Sequence, residues 1–218
     1  MKKIIIILNK LVFVSFNQSI KSQLFLIFIV LLQAFATQAQ TQTWWDLKLS
    51  ASHGEKLALS EITGQEGLLV FFMDPDCPVT QKYGQTIRGF YQSSLSQNIS
   101  VAAVYPIVNA DSAEINSFAN SYRYPFPHLI DARLALTKAM GASITPEVFL
   151  LSPKGKILYQ GAIDNWFYEL GRYRRVITRH FLKNALKSYL DGQEIAVKQT
   201  EAIGCMIGTG MLQHSGHH

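Results

Sequence analysis

The feature that most constrains this fold is a short apolar run that leads directly into a turn carrying a cysteine. Residues 68–73 are continuously apolar over the length of a strand, which predicts a strand buried on both faces. The next residues, 74–78, read Asp-Pro-Asp-Cys-Pro, and Pro78 suits the first turn of a helix. Apolar residues then recur at helical spacing over residues 83–91. The sequence therefore predicts a strand, a turn and a helix, with Cys77 at the helix N-cap.

The rest of the chain alternates between strand-like and helix-like patterns. Turn chemistry at residues 152–155 joins two strands into a hairpin, which must be antiparallel, so the sheet is predicted to be mixed. The pattern predicts one α/β domain whose central mixed sheet of about five strands has helices on both faces. The further strands are predicted at residues 99–105, 126–130, 148–151 and 156–160, and the further helices at residues 111–122, 132–140 and 169–190.

The first 39 residues have the composition of an export signal. An apolar run at residues 24–32 follows Lys21 and precedes the small-residue sequence Ala-Phe-Ala at 34–36, as in a cleavable secretory signal peptide. The run is shorter than the ~20 apolar residues that span a bilayer. We therefore predict that residues 1–39 form a signal peptide, and the alternative is that they stay attached as a membrane anchor. Either outcome predicts a periplasmic or otherwise exported protein.

Charge and composition limit the classes of partner. Four of the 20 basic residues and none of the 15 acidic ones lie in residues 1–39, which leaves 16 basic against 15 acidic side chains in the rest of the chain. The basic isoelectric point therefore belongs to the leader, and no nucleic-acid partner is expected. With 218 residues, 48% of them hydrophobic, and two cysteines, the chain is neither disordered nor stapled by many disulfides. We predict a domain at residues 40–204 and a tail at residues 205–218.

Cys77 occupies a position at which sulfur chemistry is expected. Free backbone N–H groups and the helix dipole at a helix N-terminus favour a thiolate, which is the nucleophilic form of cysteine. Asp74 and Asp76 oppose this effect, because a nearby negative charge disfavours a second anion. The direction of the net pKa shift stays open at this stage. A cysteine in such a turn is also expected to lie near the surface, where a substrate can reach it.

The order of these elements resembles the thioredoxin superfamily. A strand is followed by Cys-Pro-Val-Thr at residues 77–80 and by a helix, and a Thr-Pro pair precedes the hairpin. The sequence is more closely similar to exported redoxins of the alkyl hydroperoxide reductase and thiol-specific antioxidant group. This resemblance implies a thioredoxin-like fold in which Pro146 is a cis-proline opposite Cys77 and, with Thr145, shapes a groove for an extended substrate. The matching stretches are residues 76–78, Tyr83, 126–127, Asp131, 141–142, 145–149, 159–164, Thr200 and 204–205.

The departures from these family patterns concern the chemistry itself. Thioredoxins carry a second cysteine where this chain has Thr80, so a dithiol exchange within one turn is excluded. Peroxidases of the group carry a threonine and a proline where this chain has Asp74 and Val70, and they place an arginine near the strand that here follows Pro146. Efficient peroxide reduction needs that positive charge, so a fast peroxidase is not expected. The arginines considered as substitutes are Arg123 and Arg133.

Cys205 lies 128 residues after Cys77 and is the other cysteine of the chain. Any sulfur chemistry within the chain must therefore use it as the partner of Cys77. If the tail folds back over the helix N-terminus, the two residues are placed to act as attacking and resolving thiols. A static disulfide is the second interpretation, and by loop-closure entropy it would stabilise the fold by about 5 kcal/mol. The third interpretation is a metal site, because the tail supplies thioether and imidazole groups suited to copper, or a site without activity. Those groups belong to Met206, Met211, His214, His217 and His218.

Together with the resemblance, these residues predict an exported thiol–disulfide or antioxidant oxidoreductase whose redox-active thiol is Cys77. The alternatives left open are a periplasmic copper-binding or copper-delivery protein and a non-catalytic interaction domain with a thioredoxin fold. The expected partners are a protein or small-molecule disulfide or oxidised thiol as the substrate and an external thiol as the reductant. No organic cofactor is expected, because the chain has no glycine-rich phosphate loop, and no metal ligand is assigned. The predicted catalytic residues are Cys77, Thr80 and Cys205, and the predicted substrate-binding residues are Pro78, Thr145 and Pro146.

Overall fold

The computed structural model describes residues 44–208. Within this range the strands are β1 Leu49–Ala51, β2 Lys56–Leu57, β3 Gly67–Phe72, β4 Ile99–Tyr105, β5 His128–Ile130, β6 Ile144–Thr145, β7 Glu147–Leu151, β8 Ile157–Gly161, β9 Phe167–Glu169, β10 Arg172–Tyr173 and β11 Cys205–Met206. The helices are α1 Leu59–Ile62, α2 Pro78–Ser94, α3 Ser112–Tyr122, α4 Ala135–Met140 and α5 Phe181–Leu190, and a short 3-10 helix, Leu95–Gln97, follows α2.

One mixed sheet of seven strands forms the centre of the domain, in the order β2-β1-β5-β4-β3-β7-β8. β3 pairs in parallel with β4 and antiparallel with β7, and β7 and β8 form an antiparallel hairpin as the turn at residues 152–155 predicted. The predicted α/β class with a mixed sheet is confirmed. The prediction of about five strands is too low. The strands it missed at one edge, β1 and β2, have three and two residues, which is too short for a recognisable periodic pattern.

The sheet is buried on both faces, which explains why β3 has a continuous apolar run in place of an alternating one. Leu69 and Phe71 of β3 belong to one core, to which buried side chains of α2, α3 and α5 contribute. Leu68, Val70 and Phe72 belong to a second core, to which α1 and α4 contribute. Helices therefore lie on both faces of the sheet, as predicted.

The predicted helix over residues 169–190 is wrong in its first half. The chain forms the hairpin of β9 and β10 there, with Gly171 at a φ of 77° between the strands, and only α5 is helical. The Asn165 side-chain oxygen accepts the backbone N–H of Thr178 at 3.0 Å and that of Arg179 at 2.9 Å. These bonds hold the loop after β10 outside helical geometry. The basic residues of this segment are therefore divided among the hairpin, the loop and α5.

After α5 the chain returns across the sheet as an extended segment, residues 200–207, which we call the C-terminal strap. Thr200 fixes its start. The Thr200 N–H donates to Gln160 O at 3.0 Å, and the Thr200 hydroxyl accepts the N–H of Ala162 at 3.0 Å. β11 fixes its other end by antiparallel pairing with β6. The predicted tail therefore begins as a strand that is paired with the domain.

None of the helices within residues 44–208 is long and apolar enough to cross a membrane. The predicted signal peptide, residues 1–39, and the part of the tail beyond residue 208 lie outside the described residues. The division into leader, domain and tail and the compartment therefore stay predictions.

Candidate thiol site

A tight turn at the end of β3 places the first cysteine. Asp74 Oδ1 accepts the N–H of Asp76 at 2.9 Å, and Asp74 O accepts the N–H of Cys77 at 3.1 Å. The chain then enters α2 with Cys77 as its N-cap residue and Pro78 in its first turn. Proline fits this position because the first N–H groups of a helix have no partner within the helix. The strand, turn and helix start predicted from residues 68–78 are confirmed.

The expectation that Cys77 lies near the surface is wrong. Its side chain is 1% exposed and belongs to the core formed with α2. Ile203 and Cys205 of the strap pack against that same core. Cys205, whose thiol and N–H donate to the Cys77 sulfur, therefore covers it from a distant part of the chain, and the local pattern around the turn contained no information about this residue.

The second element of the site is the pairing of β6 with β11. The peptide bond between Thr145 and Pro146 is cis, and Thr145 lies directly opposite Cys205 in the pairing register. The Cys77 thiol donates a hydrogen bond to the carbonyl oxygen of Thr145 at 3.0 Å, and Thr145 Oγ1 donates to Cys205 O at 3.4 Å. The two cysteines thus meet at one residue of β6, and β11 occupies the strand edge beside Pro146.

Burial raises the pKa of the Cys77 thiol, but hydrogen bonds to the thiolate outweigh burial and bring the pKa below its ordinary value of 9.0. The donors are the thiol and the N–H of Cys205 and the N–H and hydroxyl of Thr80. The Thr80 N–H is one of the free amides at the start of α2, the kind of group that favours a thiolate. The net direction, which the sequence left open, is toward the thiolate.

The pKa of Cys205 moves in the opposite direction, to about 12. Burial is the largest cause, followed by the hydrogen bond to Cys77, the negative charge of Cys77 and the charge of Asp74. Both cysteines are free in the structure, so this is the arrangement of the reduced protein. Cys205 keeps its proton and donates it in a hydrogen bond to the Cys77 thiolate.

Thr80 lies where thioredoxins carry their second cysteine, and its side chain is fully buried in the first turn of α2. Within residues 44–208 its hydroxyl oxygen has no hydrogen-bond partner while Cys77 donates its proton to Thr145. A buried hydroxyl without a partner costs about 1–3 kcal/mol. The ionised sulfur of Cys77 gains a hydrogen bond from it, so ionisation removes this cost.

Of the predicted substrate-binding residues, Pro78 is exposed, whereas Thr145 and Pro146 are buried.

Two positions have structural roles that the sequence reasoning did not assign. Gly204 lies so close to β6 that a Cβ would be 2.8 Å from the carbonyl carbon of Thr145 and closer still to its oxygen. The Glu147 carboxylate accepts the N–H of Ser143 at 2.9 Å and a side-chain N–H of Gln160 at 3.2 Å, which ties the loop that carries β6 to β8. The sequence signals for these residues are that each lies close to a predicted site residue and within a stretch that matches the redoxin group.

The two arginines considered as substitutes for a peroxidase arginine, Arg123 and Arg133, are both exposed. Neither contributes to the lowered pKa of Cys77. The groups within residues 44–208 that stabilise the thiolate are neutral hydrogen-bond donors. The site therefore favours a thiolate without supplying the positive charge that efficient peroxide reduction needs.

Residues 44–208 contain no group of three or more His, Cys, Asp or Glu side chains placed to hold a metal ion. Of the soft donors predicted for copper in the tail, Met206 is 81% exposed, away from the buried thiol of Cys77. Met211 and the tail histidines lie outside the described residues. The described geometry therefore does not favour the metal-binding alternative.

Comparison with known proteins identifies the family of the chain. A model of the AhpC/TSA family matches residues 41–160. Thiol-disulfide oxidoreductase ResA from Bacillus subtilis (strain 168) is 26% identical over 110 residues, which cover 50% of this chain and 60% of that protein. The chain thus matches this relative over less than two thirds of the relative's own length.

Two solved structures have a similar fold over most of the domain. A hypothetical protein from Sinorhizobium meliloti 1021 has a TM-score of 0.66 and 26% identity, covering 74% of this chain and 90% of that one. An uncharacterized conserved protein from Geobacillus kaustophilus has a TM-score of 0.66 and 21% identity, covering 74% of this chain and 87% of that one. With the family match, the resemblance to redoxins and the thioredoxin-like fold are confirmed.

Proposed function

Because the chain belongs to the AhpC/TSA family, we propose that it is a thiol–disulfide oxidoreductase in which Cys77 attacks the substrate and Cys205 resolves the mixed disulfide. The observation that carries this proposal is the pairing of β11 with β6. It holds Cys205 opposite Thr145 while the Cys77 thiol donates to the Thr145 carbonyl. Two cysteines that adjoin the same residue and interact through a hydrogen bond are placed to exchange as attacking and resolving thiols.

The reaction consists of two thiol–disulfide exchanges. The Cys77 thiolate attacks one sulfur of a substrate disulfide, a bond forms between the two sulfurs, and the other substrate sulfur leaves as a thiolate that takes a proton from water. Cys205 loses its proton to solvent and attacks Cys77 Sγ, which releases the second substrate sulfur as a thiolate. The substrate gains two electrons, and the two cysteines are oxidised to a disulfide. An external thiol then reduces the Cys77–Cys205 disulfide.

The opposite pKa shifts of the two cysteines support this order of steps. Cys77 is the better nucleophile in the reduced protein, because its pKa is lowered while that of Cys205 is raised to about 12. Once Cys77 is part of a mixed disulfide, its negative charge and its acceptor are lost. Two of the causes that hold the proton on Cys205 are then absent, so Cys205 becomes able to attack.

The other predicted site residues support these steps without exchanging electrons. Thr80 stabilises the Cys77 thiolate through its N–H and hydroxyl. Thr145 holds the thiol form of Cys77 through its carbonyl and pairs with the strand that carries Cys205. Pro146 and the exposed Pro78 form the boundary of the substrate site beside this pairing edge.

The proposal includes a place of action outside the cytoplasm. It is supported by the signal-like composition of residues 1–39 and by the persistence of disulfides in oxidising compartments. Fractionation of the expressing cell, with the mature N-terminus determined by mass spectrometry, tests it. Recovery of the full-length chain in the cytoplasm would contradict export.

The experiment that tests the chemistry measures the reduction of insulin disulfides with dithiothreitol as the external thiol. We expect Cys77→Ser to reduce the rate to the background of dithiothreitol alone, because the attacking sulfur is absent. Cys205→Ser keeps that sulfur and serves as the matched control, and mass spectrometry should detect a mixed disulfide on Cys77 in this variant. An unchanged rate in Cys77→Ser would overturn the proposal.

A further inference from the structure

The strap occupies a strand edge that any extended polypeptide is able to use. Within the described residues β6 pairs only with β11, and the contacts are between main-chain atoms. The Ile207 N–H donates to Ser143 O at 2.9 Å, beyond the register pair of Cys205 and Thr145. Main-chain pairing depends little on side-chain identity, so such an edge accepts a strand from another molecule as readily as one from its own chain.

The strap that occupies this edge also closes the thiol. With the strap in place Cys77 is 1% exposed, and Ile203 and Cys205 pack against the core around it. A polypeptide substrate has no path to the sulfur in this state. Access to Cys77 for such a substrate therefore requires the strap to leave β6. The donors of Cys205 leave with the strap, and the N–H and hydroxyl of Thr80 then remain as the groups that favour the Cys77 thiolate.

The strap is held unevenly along its length. Thr200 is tied to β8 by its N–H, its hydroxyl and the hydroxyl of Tyr159, which approaches Thr200 Oγ1 at 2.6 Å. The far end is held by the two residues of β11 and by Ile207, whose N–H donates to Ser143 O, whereas Met206 is 81% exposed and Gly208 is exposed. A short pairing of this kind opens locally at a much lower free-energy cost than unfolding of the domain. The end that carries Cys205 is therefore the end able to move.

We propose that the strap is an internal pseudosubstrate. In this view the external substrate is an extended polypeptide segment that replaces the strap on β6 and presents a disulfide-bonded cysteine in the register of Cys205, directly preceded by glycine. The inference rests on the proposed function. An extended substrate is what the resemblance to thioredoxins implies, and the inference adds the closure of its site by the strap and a requirement for glycine in its sequence. The strap returns after the first exchange, brings Cys205 to the mixed disulfide and displaces the product strand.

The requirement for glycine follows from the approach of the strap to β6. A Cβ on Gly204 would lie 2.8 Å from the carbonyl carbon of Thr145 and closer still to its oxygen. That carbonyl is also the acceptor of the Cys77 thiol, so a strand that pushes it away disturbs the site itself. Gly204 lies in the bend that leads into β11. A segment that enters the pairing with the same bend before its cysteine meets the same carbonyl, and glycine at that position avoids the contact.

A peptide disulfide that releases a coloured thiolate reports the first exchange directly. The probe is the blocked peptide Ile-Gly-Cys-Met-Ile, whose cysteine is joined in a mixed disulfide to 2-thio-5-nitrobenzoate. The Cys77 thiolate attacks the peptide sulfur, a disulfide forms between Cys77 and the peptide, and the coloured thionitrobenzoate leaves with the electron pair of the broken bond. The full-length Cys205→Ser chain is used so that the mixed disulfide is not resolved.

We expect the glycine peptide to react about tenfold faster than the peptide with alanine in its place, because the extra methyl group displaces the reacting sulfur. The fraction of protein with an open strap is the same in both measurements, so it cancels in the ratio. Equal rates for the two peptides would overturn the inference. If Cys77 releases thionitrobenzoate neither from the peptides nor from the small symmetrical disulfide of that reagent, the proposed function itself fails.

A second measurement tests the closure without any peptide. In the Cys205→Ser background, Gly204→Ala forces a Cβ against the Thr145 carbonyl and should open the strap, whereas a Cβ at Gly208 meets nothing within 4 Å. We expect iodoacetamide to modify Cys77 about tenfold faster or more in Gly204→Ala than in Gly208→Ala, with the same circular dichroism spectrum for both. Equal modification rates in the two glycine variants would show that the strap does not control access to Cys77 and would overturn the inference.

Discussion

The two cysteines of the site lie in two different kinds of structure, and the more buried of them is the one with the lower pKa. Cys77, in the turn before α2, is 1% exposed, whereas Cys205, in the strap, is only half-buried. Burial raises the pKa of both thiols, yet the pKa of Cys77 falls below 9.0 and that of Cys205 rises to about 12. Exposure alone would therefore identify the wrong residue as the nucleophile.

The difference between the two thiols arises from the direction of their hydrogen bonds. The Cys77 sulfur accepts hydrogen bonds from Cys205 and from the N–H and hydroxyl of Thr80. Cys205 donates to Cys77 and lies near the charges of Cys77 and Asp74. The donors to the Cys77 sulfur come from the helix start and from Cys205, whereas no hydrogen bond that favours a thiolate is among the causes that act on Cys205. The reduced protein therefore favours the thiolate on Cys77 and the thiol on Cys205.

The largest expected effect is on Cys205 when Cys77 is removed. In Cys77→Ser the thiolate charge disappears and the serine hydroxyl is able to donate to Cys205. We therefore expect the pKa of Cys205 to fall from about 12 by about one pH unit or more. The ultraviolet absorbance of the single remaining thiolate, followed during a pH titration, measures this change. A pKa that stays near 12 would mean that burial alone accounts for it, and the comparison between the two thiols would fail.

The reverse substitution should move Cys77 in the opposite direction and by a smaller amount. Cys205→Ala removes the thiol donor but leaves the backbone N–H of residue 205, so we expect the pKa of Cys77 to rise. Cys205→Ser retains a hydroxyl donor and is the matched control, which should show a smaller rise. The same absorbance titration measures both variants. A pKa of Cys77 that is equal in the alanine and serine variants would remove the donor role of Cys205.

The contrast between turn and strap also explains how far the sequence was able to predict the site. The turn is local, because residues 68–78 contain the buried strand, the proline and the N-cap cysteine in one continuous stretch. The strap is not local, since its pairing strand has two residues and its partner β6 also has two. A pairing of this length has no periodicity to read, so the contact between the two cysteines was open until the structure placed them.

The burial of Cys77 and the false helix over residues 169–190 have a common physical cause. In both cases tertiary contacts decide the outcome. The strap covers a thiol that the local pattern places at the surface, and the Asn165 side chain takes the N–H groups of Thr178 and Arg179 that a helix would have used. The central strands were predictable because their side chains are buried on both faces of the sheet, whatever the rest of the chain does.

A smaller effect on the pKa of Cys77 is expected from a substitution of Thr80. This substitution should change the pKa of Cys77 without lowering the stability of the fold. Thr80→Val removes the hydroxyl donor at nearly constant shape, so the pKa of Cys77 should rise by less than in Cys205→Ala. At a pH below the pKa of Cys77 the thiol donates to Thr145, and the Thr80 hydroxyl is buried without a hydrogen-bond partner within residues 44–208. At that pH the free energy of unfolding should be unchanged or higher by about 1 kcal/mol. Thr80→Ser retains the hydroxyl and is the control. Denaturant unfolding and absorbance titration measure the two quantities, and a loss of stability in Thr80→Val would contradict the assignment.

The smallest expected effect comes from Asp74, which belongs to the turn but acts on the strap. Its charge is the last of the four causes that raise the pKa of Cys205, so Asp74→Asn should lower that pKa by about 0.3 pH unit. Burial raises the pKa of Asp74 itself from 3.8, but the carboxylate is ionised in the alkaline range where Cys205 titrates. Asp76→Asn removes an equal charge from the same turn, and Asp76 is not among the groups that affect Cys205, so this variant is the matched control. Added salt should reduce the difference between the pKa of Cys205 in the two variants, because charges that interact through solvent are screened over about 10 Å at 0.1 M ionic strength. Equal titration curves for the two variants at low salt would mean that the turn and the strap interact only through their hydrogen bonds.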